Sequence, residues 1–99
     1  MKVEFSNNRE GRCEALISES TDWRLFNKVA KLIVKKFNGR LVEKLDGLEQ
    51  RYWDIEIDGE ILTLHSEHYI GISLFPQNKE ANEVVKAVGE YFASVDLTP

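Results

Sequence analysis

Cysteine is nearly absent from this 99-residue chain: only Cys13 is present, so no internal disulfide can form. A single thiol fits a reducing compartment. No apolar run approaches the roughly 20 residues that a membrane-crossing helix requires. The opening MKVEFSNNREG has no apolar segment of the secretory type, so the expected location is the cytoplasm. No Gly-x-Ser-x-Gly elbow, phosphate-cradling glycine loop or helical His-Glu-x-x-His motif occurs. Nucleophilic, nucleotide-dependent and zinc-peptidase chemistry therefore lack their usual carriers, and no cofactor is expected. Repeats, linkers and low-complexity stretches are missing too, which leaves one domain over residues 1–99. A chain of this length buries roughly 60–70% of its unfolded surface, enough for one core.

The net charge of −4 argues against general nucleic-acid binding, which needs a basic surface to neutralise phosphates. Charge is also unevenly spread. Between Asp22 and Asn38 lie Arg24, Lys28, Lys31, Lys35 and Lys36 against Asp22 alone. Between Glu43 and Glu60 lie Glu43, Asp46, Glu49, Asp54, Glu56, Asp58 and Glu60 against Lys44 and Arg51. A two-sided molecule is expected, whose acidic side attracts a basic partner. Arg24, Lys28, Lys31 and Lys35 share one helix face, but no aromatic side chain interleaves with them to stack on bases.

Apolar spacing defines the elements. Residues 2–18 alternate on either side of the turn-rich Asn7–Gly11 and read as a hairpin. Trp23, Phe26, Ala30, Ile33, Val34 and Phe37 recur at helical intervals, with Ser20 or Thr21 as the N-cap and Asn38-Gly39 as the stop. Arg40–Leu45 reads as a strand and Asp46-Gly47 as a turn. Asp58-Gly59 is a two-residue hairpin signal, placing Ile57 opposite Glu60 and Trp53 opposite Leu64. A second turn is expected at Ser66-Glu67-His68, setting Leu64 opposite Ile70 and Leu62 opposite Ile72. Pro76 ends the last strand. Asn78 is expected to cap a second helix whose stripe is Ala81, Val84, Val85, Val88, Tyr91 and Phe92, and Ser94–Pro99 are expected to fray.

The order β-β-α-β-β-β-β-α implies a two-layer α+β fold with a mainly antiparallel sheet and both helices on one face. Trp53, Ile55, Ile57, Leu62, Leu64, Ile70, Ile72 and Leu74 would share the covered face. Residues 40–50 allow more than one register, so the N-terminal hairpin has no assigned place. The uncovered face would collect Tyr52, Asp54, Glu56, His65 and Tyr69. Tyrosines beside acids suit recognition of a basic protein surface, or self-association through this face. The rival reading is a small metal-dependent hydrolase using His65, His68 and Asp54. Against it, His65 would leave a strand end while His68 sits in a turn, so the rings need not converge, and no metal site is expected. Cys13 falls on the apolar register of its hairpin, where a thiol is inert.

The segment RYWDIEIDGEILTLHSEHYIGISLFP (residues 51–76) resembles stretches of small single-domain bacterial proteins of unassigned function. Size, acidity and α+β style are similar to those of immunity proteins, which neutralise a toxin, often a basic nuclease, by capping it with an acidic surface. That resemblance implies a tight one-to-one complex in the cytoplasm without catalysis. The basic helix face departs from the immunity pattern.

Overall fold

The computed structural model of the chain describes residues 1–96. Six strands form one fully antiparallel sheet: β1 (Glu4–Asn7), β2 (Cys13–Ser18), β3 (Arg40–Asp46), β4 (Gln50–Ile57), β5 (Glu60–Glu67) and β6 (Gly71–Pro76). Their spatial order is β1-β2-β6-β5-β4-β3. The N-terminal hairpin thus joins the sheet through β2 against β6, where Ala15 lies opposite Leu74. The reason is apolar continuity. Cys13, Ala15 and Ile17 extend the buried face of β6 sideways. Helix α1 (Trp23–Lys36) then carries the chain from β2 to the far edge at β3, and α2 (Asn82–Ala93) follows β6.

Both helices lie on the face that carries Trp53, Ile55, Leu64 and Leu74, as expected for a two-layer α+β fold. Phe26 of α1 meets the Trp53 ring edge-on at 5.0 Å. Beside Ala15, α2 presents Gly89, and the absence of a side chain there lets the Phe5 ring lie against the helix. The helices touch each other through Phe37 and Tyr91, 5.7 Å apart.

Local chemistry departs from expectation at several places. The N-cap of α1 is Asp22, not Ser20 or Thr21: its carboxylate accepts from the Arg24 N–H at 2.7 Å. A charged acceptor at this position also answers the positive end of the helix dipole. At the other end Asn38 adopts φ 52°, and the Gly39 N–H reaches back to the Val34 carbonyl. Asn78 precedes a short 3₁₀ turn (Lys79–Ala81) and caps nothing with its side chain. The asparagine that matters is Asn82. It accepts from the Cys13 N–H and donates to the Gly11 carbonyl, both at 2.8 Å, pinning the start of α2 to the hairpin. Ser94 and Val95 are not frayed: their N–H groups bond to the carbonyls of Tyr91 and Phe92. Residues 97–99 of the expected frayed end lie outside the described residues.

The β4–β5 hairpin follows the expected register, Ile57 opposite Glu60 and Trp53 opposite Leu64. Asp58 and Gly59 both take positive φ, 51° and 81°, the geometry that matches the strand twist. The next hairpin does not follow. β5 runs on to Glu67, the turn is His68-Tyr69-Ile70, and Leu64 faces Leu74, not Ile70. Leu62 faces Pro76, not Ile72. Each strand has shifted by two residues, so the inward face is preserved and two further rungs form, Ser66 with Ile72 and Glu67 with Gly71. Ile70 is expelled from the expected core and is 51% exposed. Tyr69 goes to the turn as well, 88% exposed.

Candidate functional site

The helix-free face of the sheet is built around one row of side chains that crosses every strand. Reading from edge to edge, Leu45 of β3 lies opposite Tyr52 of β4, and Tyr52 opposite His65 of β5. His65 then lies opposite Ser73 of β6, Ser73 opposite Leu16 of β2, and Leu16 opposite Glu4 of β1. The next row contains Glu43, Asp54, Thr63 and Phe75. Tyr52 stacks on His65 with ring centroids 4.5 Å apart and planes at 16°, and Phe75 meets His65 edge-on at 6.0 Å. Thr63 and Ser73, which lie in these two rows, are buried, although among the described residues no helix lies on this side.

Of the five residues expected here, Tyr52, Asp54 and His65 come together as read. Glu56 shares the face but is already engaged by Arg40, whose Nη2 and Nε donate to one carboxylate oxygen at 2.8 and 3.2 Å. Tyr69 does not belong to this group, because the register shift puts it in the β5–β6 turn against His68 at 4.7 Å. Asp54 accepts from the Thr63 hydroxyl at 2.7 Å, which holds its carboxylate flat along the face. The residues that the periodicity missed are Leu16, Leu45 and Phe75. Phe75 was legible, since it continues the alternation Gly71, Ser73, Phe75. Leu16 and Leu45 were not, because an apolar side chain in a strand reads by default as core.

The hydrolase constellation is not assembled. His65 stands mid-strand, stacked on Tyr52, while His68 sits in the turn beyond Glu67, and Asp54 is bonded to Thr63. Among the described residues, no group of three or more His, Cys, Asp and Glu side chains is placed to hold a metal ion. Cys13 is in the core, where burial pushes its thiol above the ordinary range. A cleft of about 220 Å³ lies beside the face between Asn8, Arg12, Glu14 and Phe75. That is below the ~300–1,000 Å³ of ordinary small-molecule sites.

His65 lies half-buried in this row. Burial lowers its pKa from the usual 6.5, against the opposing pull of Glu67 and Glu14, and its Nε2 is buried without a hydrogen-bond partner. The folded protein therefore resists protonating His65, whereas the unfolded chain protonates it near pH 6.5. The stabilising effect of a neutral His65 is complete above that value and is lost as pH falls from it toward the lower folded-state pKa. Urea melts of wild type and His65→Gln between about pH 7.5 and 5.5 should show the gap between them shifting against the wild type in acid. A gap that stays constant across this window, with His65 titrating at or above 6.5 by NMR, would refute the assignment.

Acids border the aromatic row: Glu4, Glu14, Glu43, Asp54 and Glu67 share its face, while Arg40 is paired with Glu56 and Arg12, beside Phe75, with Glu10. The basic residues Arg24, Lys28, Lys31 and Lys35 are exposed on α1, on the opposite side of the sheet. Among the described residues no helix is long and apolar enough to cross a membrane. No curated protein and no solved structure matches the chain. One family model does, described as "Protein of unknown function (DUF3630)", and it matches residues 4–95. From the first strand through the second helix, this chain belongs to the DUF3630 family.

Proposed function

We propose that the chain is a non-catalytic, cytoplasmic protein-binding domain whose helix-free sheet face takes a basic protein surface. The observation that carries this reading is the row Leu45, Tyr52, His65 and Leu16, flanked by Phe75 and bordered by Glu14, Glu43, Asp54 and Glu67. An apolar and aromatic centre with a charged border is the anatomy of an interface. Tyr52 and His65 are stacked before any partner arrives, so little rotamer entropy remains to be lost there. The acids would steer a cationic partner to this face and keep it from the basic back of α1. The sharpest version is an immunity-type inhibitor of bacterial origin that caps a basic toxin.

The test is a comparison of immobilised wild type with a Tyr52→Ala/Phe75→Ala variant against the same bacterial lysate, at low and at high salt. One basic protein should be held by the wild type at low salt, weakened by salt, and lost in the variant. Retention of the same proteins by both, or of none by either, overturns the proposal.

A further inference from the structure

The two edges of the sheet are unlike. β1 is four residues long, whereas β3 runs for seven residues, every one of them exposed. An open edge of that length is a template for another strand. It is also apolar. Leu41, Val42 and Leu45 (63% exposed) lie on it, and Leu48 stands fully in solvent in the turn that follows.

We infer that β3 pairs antiparallel with β3 of a second copy of this chain, with Leu45 opposite Leu45 across a twofold axis. The two six-stranded sheets then join into one. The register follows from the faces of the strand. A twofold axis perpendicular to the sheet opposes only residues that share a face. Pairing with Tyr52 puts Leu45 on the helix-free face, while pairing with Trp53 and Arg51 puts Lys44 and Asp46 on the other. With Leu45 at the axis, Lys44 of each copy faces Asp46 of the second copy, giving two opposite-charge pairs. One rung toward the strand start sets Lys44 against Lys44, and one rung toward its end sets Asp46 against Asp46. Like charges directly opposed are unfavourable, so both neighbouring registers are disfavoured.

A lysine on an edge strand ordinarily discourages pairing, as does a bulge. Here Asp46 offers that lysine a counter-charge two residues on. Both side chains rest on β4: the Lys44 ammonium lies 4.4 Å over the Trp53 ring, while Asp46 accepts from the Trp53 indole N–H at 2.8 Å and lies 3.5 Å from Arg51 Nη1, an ion pair that Lys44 of the second copy would join. The bulge between Leu41 and Glu43 limits the shared ladder to the Glu43–Gly47 stretch. Val42 then comes alongside Leu48 of the second copy, so these two exposed apolar side chains also find partners. The contact is short, and the dimer is correspondingly concentration-dependent. Joining the edges would run the row Tyr52–Leu45 of one copy into Leu45–Tyr52 of the other, doubling the helix-free face.

Sedimentation equilibrium over a concentration series should show a monomer–dimer equilibrium for the wild type. Leu45→Glu and Lys44→Glu should each weaken the dimer about tenfold or more, with circular dichroism and urea melts showing the fold intact. Leu45→Cys should cross-link between copies under mild oxidation, because the two thiols face each other at the axis. Glu43→Cys, which faces Gly47, should not, and Cys13 is buried. A wild type monomeric at every concentration, or a dimer indifferent to Leu45→Glu, overturns the inference. So does a Glu43→Cys chain that cross-links as fast as Leu45→Cys.

Discussion

Trp53→Ala should lower the free energy of unfolding by about 3–5 kcal/mol, read as a fall in the urea midpoint with an unchanged slope. Trp53 is only 5% exposed, and it is where α1 is fastened to the sheet. Trp23 and Phe26 both meet its ring edge-on, at 5.4 and 5.0 Å. Removing it leaves a void that a helix and a sheet cannot close together, and it removes the hydrogen bond from the indole N–H to the exposed Asp46 carboxylate. On the opposite face of the same strand, Tyr52→Ala should cost much less, because its ring lies on the helix-free side. If Tyr52→Ala proves as damaging as Trp53→Ala, the helix-free face is part of the core and the proposed binding surface does not exist.

An effect of similar size is expected from one methyl group at the start of β6. Gly71 opens β6 with φ 118°, a conformation that only glycine adopts without strain. A Cβ placed there would lie 2.2 Å from the Ser18 carbonyl oxygen and 2.7 Å from the Glu19 Cα. Both are backbone atoms, at the end of β2 where a bulge already sits between Leu16 and Ser18. They cannot swing aside as a side chain would. Gly71→Ala should therefore destabilise by about 3–5 kcal/mol, from dihedral strain together with displacement of β2. Gly59→Ala is the control. That glycine has φ 81°, but nothing lies within 4 Å of its would-be Cβ, so strain alone remains, about 1–2 kcal/mol. Equal losses at the two glycines would mean that β2 does not press against the start of β6.

Gly71 also explains why the β5–β6 register was only half legible. Alternation decides which face a strand turns inward, and it did so correctly for Ile72 and Leu74. It is blind to a shift of two residues per strand, which keeps each side chain on its face. The choice fell to backbone geometry: a glycine at φ 118° admits the turn at residues 68–70 and lets β5 extend through Ser66 and Glu67. That shift moved Tyr69 away from the face on which Tyr52 and His65 meet, and it placed Phe75 opposite Thr63.

Some features were settled by the sequence because they depend on neighbours along the chain. The two helical stripes, the Asp58-Gly59 hairpin with its register, and the stop at Pro76 are of this kind. So is the division into a basic helix back and an acidic sheet, since charge segments by element. Tertiary structure alone decided that β2 joins β6, that Leu16 and Leu45 lie outside the core, and that β3 is a bare edge. Those outcomes depend on which apolar faces can be buried together. In this chain the helices cover one side of the sheet, and the apolar side chains on the other side, or on the edge strand β3, are left to find their cover elsewhere.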